Sequence, residues 1–188
     1  MADLKEAVRK GLLFLEFKGK TIVLKAEQEK ALYSLLEGND VLAILPTGFG
    51  KSMIFTMFSV AARERTPEAV SVLVISPLNS IITDQIADLE GLCEAAELKA
   101  DNLTAILKDP PHFVFASAEK VLEERFLRAL KDFSSELHKR ISLIVVDESH
   151  TVETWTEKRY FCALFLFVNS YKDSYRLPTS KIRKKFGF

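Results

Sequence analysis

Between residues 41 and 52 the chain reads Val41-Leu42-Ala43-Ile44-Leu45-Pro46-Thr47-Gly48-Phe49-Gly50-Lys51-Ser52, an apolar stretch that breaks into a glycine-lysine-serine turn. Those residue types at that spacing can hold a nucleoside triphosphate. Gly48 and Gly50 carry no side chain, so the loop can bend tightly and bring backbone N–H groups against phosphate oxygens. A helix that starts at Lys51 aims the positive end of its dipole at the same charge. Lys51 would reach the β and γ phosphates, and the Ser52 hydroxyl would ligate magnesium. The match departs at one position: Leu45 stands where the eight-residue phosphate-loop signature has its first glycine. A plain glycine turn between a core strand and a helix is the structural alternative.

A second acidic turn strengthens the first. Leu143-Ile144-Val145-Val146-Asp147-Glu148-Ser149-His150 is a hydrophobic strand ending in a carboxylate pair. A strand-end aspartate, Asp147, is placed to hold Mg²⁺, and the adjacent Glu148 can orient and activate an attacking water. Strand alternation points the two carboxylates different ways, which suits two roles. An apolar strand ending in Asp-Glu is common by itself. About 95 residues downstream of a phosphate loop it becomes specific. His150 reads either as a hydrogen-bonded structural histidine or as a group near the γ-phosphate.

These residues need elements to position them. Helical spacing is expected over 3–16, 26–37, 51–63, 79–97 and in pieces over 118–139, with Gly19 and Gly38-Asn39-Asp40 as breaks. Continuous apolar runs predict strands at 41–45, 70–75, 112–116 and 141–146, with a weak one at 105–107. Strands apolar on both faces, alternating with helices, predict an α/β fold whose mostly parallel sheet is covered by helices on each side. In such sheets ligands sit beyond the carboxyl ends of the strands, where the glycine loop falls.

Composition excludes several classes. With 188 residues and 48% hydrophobic content the chain can bury one full core. Formal net charge is zero, so no global field draws it to nucleic acid. Lys172, Arg176, Lys181, Arg183, Lys184 and Lys185 nevertheless oppose only Asp173 near the end, a basic tail. Such a tail is either a solvated end or a nucleic-acid contact or import signal. Cys93 and Cys162 have no metal-like spacing and read as reduced thiols. Phe161 to Val168, the longest apolar run, is far short of the roughly 20 residues a membrane span needs. The expected location is intracellular, nuclear or cytoplasmic.

Taken together the motifs resemble the superfamily 2 helicases, and within them the RecQ DNA helicases. Pro46-Thr47-Gly48-Phe49-Gly50-Lys51-Ser52 is similar to their motif I, and Asp147-Glu148-Ser149-His150 to their DExH motif II. Leu24-Lys25-Ala26-Glu27-Gln28 resembles the motif 0 that reads adenine. The Gln28 amide can donate to and accept from an adenine edge, and Lys25 can pack on the ring. Gln28 is otherwise a surface residue at a helix start. The stretch from Val74 through Ser76, Pro77 and Ser80 to Gln85 is similar to motif Ia, and Phe115 to Leu122, with Ser117, to motif Ib. In the family these line a channel for single-stranded DNA, met through phosphates without reading sequence. Taken singly, Ser80 and Ser117 are simply helix N-caps. Trp155, the only tryptophan, falls where RecQ proteins carry an aromatic-rich loop that couples DNA binding to hydrolysis, and it either stacks on a base or packs in the core.

The resemblance covers roughly residues 20 to 156 and implies the ATP-binding, RecA-like first lobe of an ATP-dependent DNA helicase, with ATP and Mg²⁺ as ligands and single-stranded or forked DNA as partner. The implied layout is an N-terminal helix over 1–19, the lobe over 20–168 and a basic tail over 169–188. Motif III is not recognisable after Phe161–Val168, nor is a second lobe with its arginine finger. A finger arginine is worth about 10³–10⁵ in rate. A lone lobe is therefore expected to bind nucleotide but hydrolyse it slowly, and to need a second lobe or protein partner to unwind DNA. The alternative is a truncated, catalytically weak nucleotide- or nucleic-acid-binding module.

Overall fold

The computed structural model describes residues 2–66 and 70–147. The elements run α1 (Ala2–Phe17), α2 (Ala26–Leu36), α3 (Lys51–Arg63), β1 (Ser71–Ile75), α4 (Asn79–Leu89), β2 (Ala95–Glu97), α5 (Leu103–Lys108), β3 (Phe113–Ala116), α6 (Ala118–Val121), α7 (Glu124–Lys131), α8 (Glu136–Arg140) and β4 (Ile141–Val146). The strands form one sheet in the order β2-β3-β1-β4, every pair parallel.

Strand alternation divides the core in two. Val72, Val74, Phe113 and Phe115 face the apolar stripes of α1 to α4, where Leu15, Leu32, Met57 and Ile82 are buried. Leu73, Ile75, Val114 and Ala116 face α5 to α8, meeting Ile106, Val121, Phe126, Leu130 and Leu137. Successive side chains on a strand point to opposite faces, so a two-sided sheet must be apolar at every position. That is the expected fold class, helices on both faces of a parallel sheet.

Three expected elements differ. The apolar run 41–45 forms no ladder with any described residue, and Leu42 and Ile44 are 69% and 87% exposed. Both edges of β1 are taken, by β3 and β4, and among the described residues the outer edge of β4 carries no strand. The helix expected over 79–97 ends at Leu89, because Gly91 adopts a left-handed φ of 74° and the Cys93 N–H closes onto Leu89 O. Residues beyond it become β2. The weak strand at 105–107 is the helix α5 instead. Asn102 pins its start, accepting from the Lys99 N–H and donating to Glu97 O, and Leu103 and Ile106 bury themselves one turn apart. Three apolar residues carry no period that separates strand from helix. Among the described residues, no helix is long and apolar enough to cross a membrane.

Candidate nucleotide-binding site

The loop after Leu45 is shaped by two left-handed glycines. Gly48 has φ 75°, and Gly50, the N-cap of α3, has φ 87°. The Phe49 N–H closes a turn onto Pro46 O, and the Met53 N–H begins the helix on Gly50 O. The backbone thus turns from an extended run directly into a helix N-terminus, with Lys51 and Ser52 as its first residues. Orphan N–H groups and a positive dipole end face outward there.

The start of α2 grips this loop. Gln28 is 4% exposed, and its amide is fully engaged. Oε1 accepts from the Lys25 N–H at 2.8 Å, while Nε2 donates to Phe49 O at 3.1 Å and Gly50 O at 3.0 Å. Lys25 places its ammonium 4.1 Å from the centre of the Phe49 ring and 3.3 Å from Phe49 O. A Cβ on Gly50 would stand 2.8 Å from Gln28 Nε2, so a side chain there would displace that amide from the loop, on top of the strain of the left-handed φ. Gln28, expected to present its amide to a base, is instead committed to the phosphate loop in this conformation.

Asp147 follows β4 directly. Its N–H donates to Ile75 O at 2.9 Å, which fixes it beside the carboxyl end of β1. Its Oδ2 accepts from Gln85 Nε2 at 2.8 Å. Gln85 and Ser52 also line one cavity of about 160 Å³, together with Thr56, Lys20 and Asp88 and an apolar floor that includes Met53 and Leu89. The loop, the helix start and the strand-end acid therefore gather at the carboxyl edge of the sheet, and α4 stands among them.

The residues expected on the nucleic-acid side behave differently from one another. Ser76 is completely buried at the end of β1, its N–H on Ala116 O, and its hydroxyl has no hydrogen-bond partner. It makes no surface contact from that position. Pro77 is half-buried, while Leu78 and Ser80 are exposed. Ser80 is the second residue of α4, whose N-cap is Leu78, and so is not a cap. Ser117 does occupy the N-cap of α6, but its side chain makes no capping hydrogen bond. Gln85 is turned to Asp147. Glu148, Ser149, His150 and Trp155 lie outside the described residues, as do Cys162 and the basic tail.

One polar cluster lies at the far end of α3, away from the loop. Arg63 donates to Cys93 Sγ at 3.3 Å and faces His112 Nε2 at 3.0 Å, while the Glu94 N–H donates to His112 Nδ1 at 3.1 Å. Burial and the Arg63 charge push the His112 pKa down, and burial pushes the Cys93 thiol up. Both ring nitrogens of His112 meet donors, an arrangement that a second ring proton would worsen.

A parallel sheet with a glycine loop leading into a helix, and an acid at the end of a neighbouring strand, is the frame of the RecA-like phosphate-loop proteins. The chain belongs to the DEAD/DEAH box helicase family, whose family model matches residues 25–174. Among curated relatives it is 30% identical over 145 residues to ATP-dependent DNA helicase Q-like 2 of Arabidopsis thaliana, covering 70% of this chain and 19% of that protein. It is 28% identical over 137 residues to ATP-dependent DNA helicase Q-like 5 of the same plant, covering 69% and 14%. It is 29% identical over 151 residues to the probable ATP-dependent DNA helicase RecS of Bacillus subtilis, covering 74% and 27%. The matched part is thus between a seventh and about a quarter of each relative's length.

Proposed function

We propose that this chain is the ATP-binding lobe of a RecQ-like, ATP-dependent DNA helicase, and that it works inside the cell, nuclear or cytoplasmic. In this reading the 47–52 loop cradles the triphosphate, with Thr47, Gly48, Phe49 and Gly50 offering backbone and Lys51 its charge. Adenine meets Lys25, and meets Gln28 when its amide gives up a bond to the loop. Ser52 and Asp147 hold Mg²⁺, a cation that suits two hard oxygen donors. Held by those two side chains, Mg²⁺ would supply positive charge against the phosphates. Glu148 orients the attacking water. The exposed side of Pro77 and Ser80, together with Ser117 and Trp155, meets single-stranded or forked DNA through its phosphates and base faces. Ser76 and Gln85 support that surface from within.

The observation that carries this reading is the grip of α2 on the loop, in which Lys25 and Gln28 both bond Phe49 O. A segment that resembles an adenine-reading motif and is bonded to the glycine loop favours a nucleotide site over a plain glycine turn. Unwinding needs a second lobe to close over the nucleotide and supply an arginine, so turnover by the isolated chain is expected to be slow.

The test compares the wild-type chain with Lys51→Ala, by fluorescent-nucleotide binding and by ATPase with and without an oligonucleotide. Removing a charge-assisted phosphate contact is expected to weaken nucleotide binding about 10- to 100-fold. Turnover that rises with single-stranded DNA and is lost in the variant supports the helicase lobe. Binding without turnover supports a nucleotide-binding module. Phosphoryl transfer to a small metabolite overturns both.

A further inference from the structure

Gln85 sits in the middle of α4, in the segment that resembles a DNA-channel motif, yet its amide points to the other half of the site. Nε2 donates to Asp147 Oδ2 at 2.8 Å, across 62 residues of sequence. Oε1 is buried and has no hydrogen-bond partner. A buried acceptor without a donor is costly and rare enough in folded proteins to need a reason. The same side chain walls the cavity that Ser52 lines. The backbone N–H of Asp147 is on Ile75 O, and its carboxylate accepts from Gln85.

We propose that Gln85 is a positioning residue for the cation: its amide N–H fixes the Asp147 carboxylate through Oδ2, and its Oε1 accepts from a metal-bound water. The inference rests on the reading of Ser52 and Asp147 as the Mg²⁺ pair. An amide suits both tasks because it is neutral, with a donor at one end and an acceptor at the other. A lysine at 85 would hold the carboxylate but repel the cation, and a glutamate would repel the carboxylate. Partners that orient ligating carboxylates typically change metal affinity by 10- to 100-fold when removed.

The experiment uses the full 188-residue chain and a fluorescent ADP, titrated with Mg²⁺ and, separately, in EDTA. Gln85→Met keeps the length and removes both polar ends. It is expected to raise the Mg²⁺ concentration needed to tighten binding by about tenfold, with affinity in EDTA unchanged. In an Asp147→Asn background the same change is expected to add nothing, because the carboxylate it positions is gone. Gln85→Lys retains a donor to Asp147, so folding is preserved; it too is expected to need more Mg²⁺, without loss in EDTA. Asp84→Ala, exposed on the same helix, serves as the control. A wild-type Mg²⁺ titration in both Gln85 variants, or an equal loss in EDTA, would overturn the proposal while leaving the nucleotide site standing. A wild-type chain that binds nucleotide with no Mg²⁺ dependence overturns the Ser52–Asp147 pair first.

Discussion

Val41-Leu42-Ala43-Ile44-Leu45 and Ser71-Val72-Leu73-Val74-Ile75 are nearly interchangeable as sequences, yet they end in opposite surroundings. The second is the central strand β1, paired on both edges, with Val72 to Ile75 at 0% exposure. The first carries the phosphate loop but has no ladder partner among the described residues, and it leaves Ile44 at 87% exposure. Apolar content says that a segment is able to be buried; the neighbours decide whether it is. β1 is scaffold, locked by side chains from both layers. The 41–46 run is a presenting arm, and its loop is held from α2, by Gln28, rather than from the sheet.

If that contrast is right, the same kind of substitution has unequal effects. Leu73→Ala, in the layer against α5 to α8, is expected to cost about 2–5 kcal/mol in denaturant unfolding. A cost below about 1 kcal/mol would erase the distinction. Gly50→Ala comes next, at about 1–3 kcal/mol, since it strains a φ of 87° and drives a Cβ against Gln28. Gly48→Ala shares the φ strain but meets no atom within 4 Å, so it should cost less; equal costs would mean the Gln28 grip does not matter.

Acid is a gentler probe of the scaffold side, where the Val72 N–H rests on His112 O. The folded His112 pKa lies below its ordinary value of 6.5, chiefly through burial and then through Arg63. The unfolded chain therefore takes up the proton first. The stability this group contributes is present above about pH 6.5 and is lost as pH falls toward the folded pKa. Unfolding midpoints should decline between pH 7 and pH 5, and His112→Gln should flatten that decline. Ile44→Ser is the smallest effect, within about 0.5 kcal/mol for an exposed position. A loss of several kcal/mol there would mean the arm is covered in solution.

Much of the frame was legible. The spacing of apolar residues predicted α1, α2, α3, β1, β3 and β4 to within a residue or two, and Gly38 marked the end of α2. Gly91 was equally available as a stop signal, but the stripe through Ile82, Ile86 and Leu89 continues to Cys93 and masks it. The 105–107 run was too short to have a period. At the site, the positions of Gly50, Ser52 and Asp147 followed from motif spacing, whereas the bonds of Gln28 and Gln85 did not. An amide has a donor and an acceptor that fit many partners, and only the fold selects among them. Ser76 could not be known as buried, because its role depends on β3 packing past the end of β1. Glu148 and Trp155 remain expectations of the sequence, since they lie outside the described residues.

Gln28 has two amide hydrogens, and both are spent on the carbonyls of Phe49 and Gly50. A purine that claims one of them exchanges one hydrogen bond for another, a trade of nearly zero net free energy. Base identity would then add little to how tightly the nucleotide is held. What the correct base would supply is slack: a loop carbonyl let go, and with it a change in how the phosphates are seated. Discrimination of this kind is read in turnover numbers, not in dissociation constants.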